Sequence, residues 1–151
     1  MEFGRFAVQS AKKRGERPET FDFLGLTHYC GTRRNGTGFR MKRATARKKY
    51  VAKLRIFKEW LKEARTLKTK ELWKTASSKL RGHFNYYGVT DNYRRLVRFD
   101  QAVKKLLFKW LNRRGKRNCL NWEEFNKMLM RFPLPKPRIM VSMFGLPVNT
   151  M

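Results

Sequence analysis

The chain has 151 residues with 37 Lys and Arg against 11 Asp and Glu, a formal net charge of +26 that selects polyanions as partners. Hydrophobic residues at 41% and aromatics at 14%, with only five prolines and ten glycines, exclude a purely disordered basic tail. The length suits one compact domain, or one domain with an appended segment.

Residues 12–18, Lys-Lys-Arg-Gly-Glu-Arg-Pro, read as a loop. Residues 20–29 are dense in aromatic and β-branched types, 31–38 carry the turn dipeptide Asn35-Gly36, and Phe39-Arg40-Met41-Lys42 alternates apolar with basic; together they predict a β-hairpin. After Thr45 the period changes. Tyr50, Val51, Leu54, Phe57, Leu61 and Ala64 recur at three and four residues and predict an amphipathic helix. A second stripe, Leu72, Ala76, Leu80, Phe84 and Tyr87, follows the N-cap candidate Thr69 and stops at Gly88, a residue suited to a helix end with positive φ. A third, Leu96, Phe99, Val103, Leu106 and Trp110, starts after the cap candidates Thr90-Asp91 and ends near Gly115. Three such helices can cover one another's apolar faces. Asn121 with Glu124 three residues on forms a capping box, opening a short helix through Trp122, Phe125 and Leu129 that stops before Pro133. Residues 133–138 should be extended, because each proline disfavours helix in the residue before it.

Catalytic chemistry finds few candidates. Asp22, Asp91 and Asp100 are isolated, and the acidic pair Glu123-Glu124 is explained by the start of a helix, so the paired carboxylates that would hold divalent metal are missing. His28 and Cys30 could share one face of a strand, but two ligands leave two more to find, with only His83 and Cys119 as soft donors. Ordinary packing is the favoured reading, and neither a metal site nor a catalytic residue is expected. The two cysteines form no Cys-x-x-Cys pair, no apolar run approaches the ~18 residues of a membrane span, and the first ten residues lack a signal core. These features predict a reducing, cytoplasmic setting without membrane contact.

The basic residues carry the signal. Lys42, Arg43, Arg47, Lys48, Lys49, Lys53, Arg55, Lys58 and Lys62 have only Glu59 and Glu63 as nearby compensation. Further clusters are Arg94, Arg95 and Arg98, then Lys104, Lys105 and Lys109, then Arg113, Arg114, Lys116 and Arg117. Ordinary helix surfaces mix signs to gain i,i+4 pairs, so an almost unbalanced cationic surface points to nucleic acid. Tyr87 falls on the core stripe, whereas Tyr86 and Tyr93 are as suited to stacking on unpaired bases as to packing.

Four ordered stretches are recognisable: Thr20-Phe-Asp-Phe-Leu-Gly-Leu-Thr-His-Tyr-Cys-Gly31, Lys79-Leu-Arg-Gly-His-Phe-Asn-Tyr-Tyr-Gly-Val-Thr-Asp-Asn92, Leu107-Phe-Lys-Trp-Leu-Asn-Arg-Arg114 and Arg131-Phe-Pro-Leu-Pro-Lys-Pro-Arg138. They closely resemble bacterial group II intron-encoded reverse transcriptase/maturases, over about residues 2–144. The resemblance implies that Phe23, Leu24 and Gly25 belong to a primer-proximal hairpin at the end of the polymerase palm. It also implies that the three helices are the thumb, or maturase-specific domain X. In that family the protein binds its own intron RNA, stabilises the folded ribozyme for splicing, and copies RNA into DNA during mobility, while the RNA supplies the splicing chemistry.

The family's Tyr-x-Asp-Asp palm motif is not in this sequence, so the chain is expected to be a C-terminal part with no polymerase activity by itself. Mg2+ would belong to the missing palm or to the intron RNA, and no cofactor is expected. No His-Asn-His cluster follows the tail, so DNA cleavage is not expected either. The expected fold is mainly α: an N-terminal β-hairpin, a three-helix thumb-like bundle, a short fourth helix and an extended Pro-rich tail. Residues 1–45 would be the end of the palm, 46–118 the thumb, and 119–151 the short helix and basic tail. The expected function is binding of group II intron RNA in support of splicing, in the bacterial cytoplasm. Lys42, Arg43, Lys48, Lys49 and Lys53 are expected to meet phosphates, with Arg81, Tyr86, Arg94, Arg95 and Arg98 as a second surface. A DNA target, an RNA/cDNA duplex and a separate palm fragment are the further partners considered. The alternatives are a thumb fragment active only with a separately encoded palm, and an inert remnant.

Overall fold

The structure is a computed structural model and describes residues 3–114 and 119–143. It opens with α1 (Ala7–Lys13), which buries Ala7 and Ala11 one turn apart, so Lys12 and Lys13 end a helix instead of starting a loop. The chain leaves that helix through Arg14 and Gly15, whose φ of 68° a side chain would resist.

Three strands follow, β1 (Thr20–Phe23), β2 (Leu26–Thr32) and β3 (Phe39–Thr45), as an antiparallel sheet in the order β1-β2-β3. The expected hairpin is therefore a three-stranded meander. The segment 20–29 folds back on itself at Leu24-Gly25, bringing Phe23 opposite Leu26 and Thr20 opposite Tyr29. Both turn residues have positive φ, 50° and 78°, the signature of the tight turn that matches the natural twist of a hairpin. Leucine seldom takes that conformation, so Gly25 alone marks the turn in the sequence. The second turn, through Asn35-Gly36, does lie where its dipeptide places it, and pairs Cys30 with Met41.

The helices are α2 (Arg47–Glu63), a 3-10 turn Ala64–Thr66, α3 (Thr69–Tyr87), α4 (Tyr93–Arg114) and α5 (Trp122–Arg131). Five helices against one small sheet make the described residues mainly α. The apolar stripes meet in one core: Phe57 and Leu61 from α2, Leu72, Ala76, Leu80 and Phe84 from α3, Leu96, Phe99, Val103 and Trp110 from α4, and Phe125 from α5. Two stripe members differ from expectation. Val51 is 56% exposed, because its neighbour Tyr50 already fills the inward position, and Leu107 takes the fully buried place expected of Leu106.

Helix ends differ more. Helix α3 starts at Thr69 itself, with Lys68 in the cap position and no side-chain cap, and the chain enters α4 at Asn92, not at Thr90 or Asp91, where the Asn92 backbone carbonyl accepts from the Arg95 and Leu96 N–H groups. Gly88 ends α3 with φ of −74°, not positive. Its requirement is crowding: a Cβ there would overlap the Phe84 carbonyl and stand 2.8 Å from the carbonyl of Arg138. The returning tail crosses at this point, where Met140 and Val141 donate to the Gly88 carbonyl at 2.6 and 3.0 Å. The Asn121–Glu124 capping box forms as expected, with bonds of 2.8 and 3.0 Å. Residues 133–140 carry no helix or strand, and Leu134 joins the core. The expected helix end at Gly115 and the basic pair Lys116 and Arg117 lie outside the described residues.

One buried side chain joins sheet to helices. Asn92, with no exposed surface, accepts from the Thr45 backbone N–H at 2.7 Å and donates to Thr45 Oγ1 and the Tyr87 carbonyl, both at 2.8 Å. It pins the end of β3 to the end of α3.

Candidate nucleic-acid interface

Where that staple holds sheet against helices, a groove of about 700 Å³ opens between the β1–β2 turn, α2 and α3. Leu24 and Gly25 form one wall, Lys49, Lys53 and Ile56 another, and Lys79, Gly82, His83 and Tyr86 a third, with Phe99 of α4 beneath. Gly25 suits its place because its φ is positive, and a Cβ there would stand close, at 3.2 Å, to the Tyr87 hydroxyl. Lys49 and Lys53 sit one turn apart on α2, and Lys79, Gly82, His83 and Tyr86 follow the i, i+3, i+4, i+7 pattern of a single helix face.

The groove is cationic over an aromatic base. Three lysines line it and no carboxylate does. Among the described residues neither Lys49 nor Lys53 has an ion-pair partner, and the Lys79 ammonium lies 5.2 Å over the Trp60 ring. His83 stacks on Phe99 with ring centroids 3.6 Å apart. Burial, aided by the charge of Lys53, lowers its pKa to about 4, so it is neutral at neutral pH. Tyr87 is core, with its hydroxyl pKa raised by burial and by Tyr86 beside it. Tyr86 is 60% exposed, and its hydroxyl donates to the Leu24 carbonyl at 3.2 Å.

The structure thus brings together Lys49, Lys53, Tyr86, Leu24 and Gly25, which sequence placed in three separate groups. It disperses the others. Lys48 lies about 100° around α2 from Lys49 and is exposed on the outward face. Lys42 and Arg43, adjacent on β3, point to opposite faces of the sheet. The Lys42 stem lies across Gly31, while Arg43 lines a second cleft of about 700 Å³ with Arg33, Arg34 and Met143. Arg81 faces away from the groove into a third cleft, of about 570 Å³, with Lys136 and Arg138. Arg94 and Arg98 are exposed on α4, and Arg95 sets its guanidinium 6.0 Å over the Tyr50 ring. Tyr93 is exposed on α4, and Phe23 stands 60% exposed beside the turn.

Sequence reasoning missed Lys79, Gly82 and His83 as groove residues. Their helical spacing from Tyr86 was available, but nothing in the sequence says that this face of α3 meets the β1–β2 turn. His28 is buried and stacked on Phe21, with centroids 4.8 Å apart. Among the described residues, no three His, Cys, Asp or Glu side chains gather as a metal group, and no helix is long and apolar enough to cross a membrane.

A helical unit of this kind is joined to a small sheet and bears a carboxylate-free cationic groove. The family described as "Group II intron, maturase-specific domain" matches residues 47–128, from α2 into α5 and more than half of the chain. The chain belongs to this family and has a group II intron maturase-related role. The matched domain is not itself catalytic. No curated protein and no solved structure gives a significant match.

Proposed function

We propose that this chain binds group II intron RNA and thereby supports splicing, with Lys49, Lys53 and Tyr86 as its principal contacts in the groove. The observation that carries this reading is the convergence on one groove of three lysines, with no carboxylate among them, all three within the matched maturase-specific domain. A phosphate backbone neutralises such a surface and releases counterions as it binds. The other basic positions, Lys42, Arg43, Lys48, Arg81, Arg94, Arg95 and Arg98, then serve as flanking phosphate contacts on separate faces. By this reading the chain has no polymerase activity of its own.

The test is binding to a folded group II intron RNA, with unrelated structured RNA as competitor, over a salt series. With about eight phosphates engaged, log affinity should fall against log salt with a slope of roughly −6 for single strands and −7 for duplex. A near-zero slope refutes the reading. A second reading adds a partner: β1 is an edge strand ending in the exposed Phe23, with the exposed turn residue Leu24 after it, which suits docking against a separately encoded palm. Co-elution with such a palm, lost in Leu24→Asp, is its expected outcome.

A further inference from the structure

Gly82 lies in the interior of the 19-residue helix α3, where glycine is among the poorest residues because it loses the most backbone freedom on folding. The usual structural reasons for tolerating it are absent. Its φ is not in the left-handed region, and a Cβ built on it would meet nothing within 4 Å. The space it leaves open belongs to the groove, between Lys79 one turn before and Tyr86 one turn after. A bare stretch of helix backbone is what a close-approaching ligand needs.

We propose that the groove receives one unpaired nucleobase of the bound RNA, which approaches α3 at Gly82 and stacks on Tyr86 while its flanking phosphates meet Lys49, Lys53 and Lys79. This deepens, and rests on, the RNA-binding reading above. Tyr86 suits the task because its hydroxyl is already tied to the Leu24 carbonyl, so the ring is held in place before a base arrives. The groove volume of about 700 Å³ lies within the ~300–1,000 Å³ range of ligand sites. Charge complementarity names the partner as an anion, and the exposed aromatic wall names it as one with flat faces. A duplex keeps its base faces stacked inside, so the occupant is single-stranded.

The experiment uses the full chain and a short single-stranded RNA carrying 2-aminopurine, whose fluorescence is quenched on stacking. Unlabelled duplex RNA, inorganic polyphosphate and poly-glutamate are competitors, each over a salt series. The wild-type chain should quench the probe and prefer it to all three competitors. Gly82→Leu and Tyr86→Leu should each weaken binding about tenfold, in the range of one lost stacking contact, and leave the salt slope unchanged. Tyr86→Phe should keep the quenching. Leucine is a far better helix former than glycine, so Gly82→Leu should melt no lower than wild type, which separates lost binding from lost folding. Wild-type binding by Gly82→Leu, or competition by polyphosphate, poly-glutamate or duplex as strong as by single-stranded RNA, overturns the base site. If salt-dependent RNA binding survives that result, the RNA-binding reading stands alone. No salt-dependent binding to any RNA removes both.

Discussion

Replacing Asn92 by alanine tests how the groove is held together. The side chain is wholly buried and makes three hydrogen bonds of 2.7, 2.8 and 2.8 Å to Thr45 and Tyr87. Truncation removes all three, at about 1 kcal/mol net for each. The Tyr87 carbonyl keeps the Val89 N–H as a partner, so its loss is partial. The Thr45 N–H, in a residue only 1% exposed, loses its acceptor, and an orphaned buried donor costs about 1–3 kcal/mol. The expected destabilisation is about 3 kcal/mol, or roughly 6–12 °C in melting temperature for a domain of this size. Asn92→Asp should be at least as damaging, because it keeps the acceptor but loses both donors and buries a charge. Urea titration followed by far-ultraviolet circular dichroism measures the change. A loss below about 1 kcal/mol at unchanged denaturant slope would refute the reasoning and place the sheet–helix joint elsewhere. Because Tyr87 packs under Gly25, the folded fraction of Asn92→Ala should also bind RNA more weakly than wild type.

Lys49→Ala with Lys53→Ala should make the salt slope shallower by about 1.4 for single-stranded RNA, from the ~0.7 per phosphate contact; an unchanged slope would remove both lysines from the interface. Gly82→Ala should raise stability by about 0.5–1 kcal/mol in thermal or urea unfolding, since nothing occupies the space a methyl would take. His83 has a folded pKa of about 4, below its ordinary 6.5, so its protonation favours the unfolded chain. Its contribution, up to about 3 kcal/mol, is present above pH 6.5 and is lost as pH falls towards 4. Stability should therefore drop across that window less in His83→Phe than in wild type. Asn121→Ala should cost about 1 kcal/mol through loss of the α5 cap, read by urea unfolding.

Sequence by itself determined what is local or additive. The stripes Leu72-Ala76-Leu80-Phe84-Tyr87 and Leu96-Phe99-Val103 specify buried helix faces because the helical period alone puts those side chains on one side. The capping box at Asn121 spans three residues and needs no tertiary partner, and net charge is a sum over the chain, indifferent to how it folds. Family membership was legible for the same reason, since ordered motifs survive without coordinates. Tertiary structure decided whatever depends on residues far apart in the chain. It turned the backbone at Leu24, where the residue type argues against a turn, because strand pairing and the docking of Gly25 on Tyr87 outweigh the local preference. It required Gly88 through the crossing of Arg138 and not through φ. It chose Asn92 over its cap-like neighbours because only there do Thr45 and Tyr87 come within reach. It also divided one basic sequence among several faces and gathered Lys49, Lys53, Lys79 and Tyr86 around a single groove. Charge can be counted along a chain, but a surface exists only after the chain has folded.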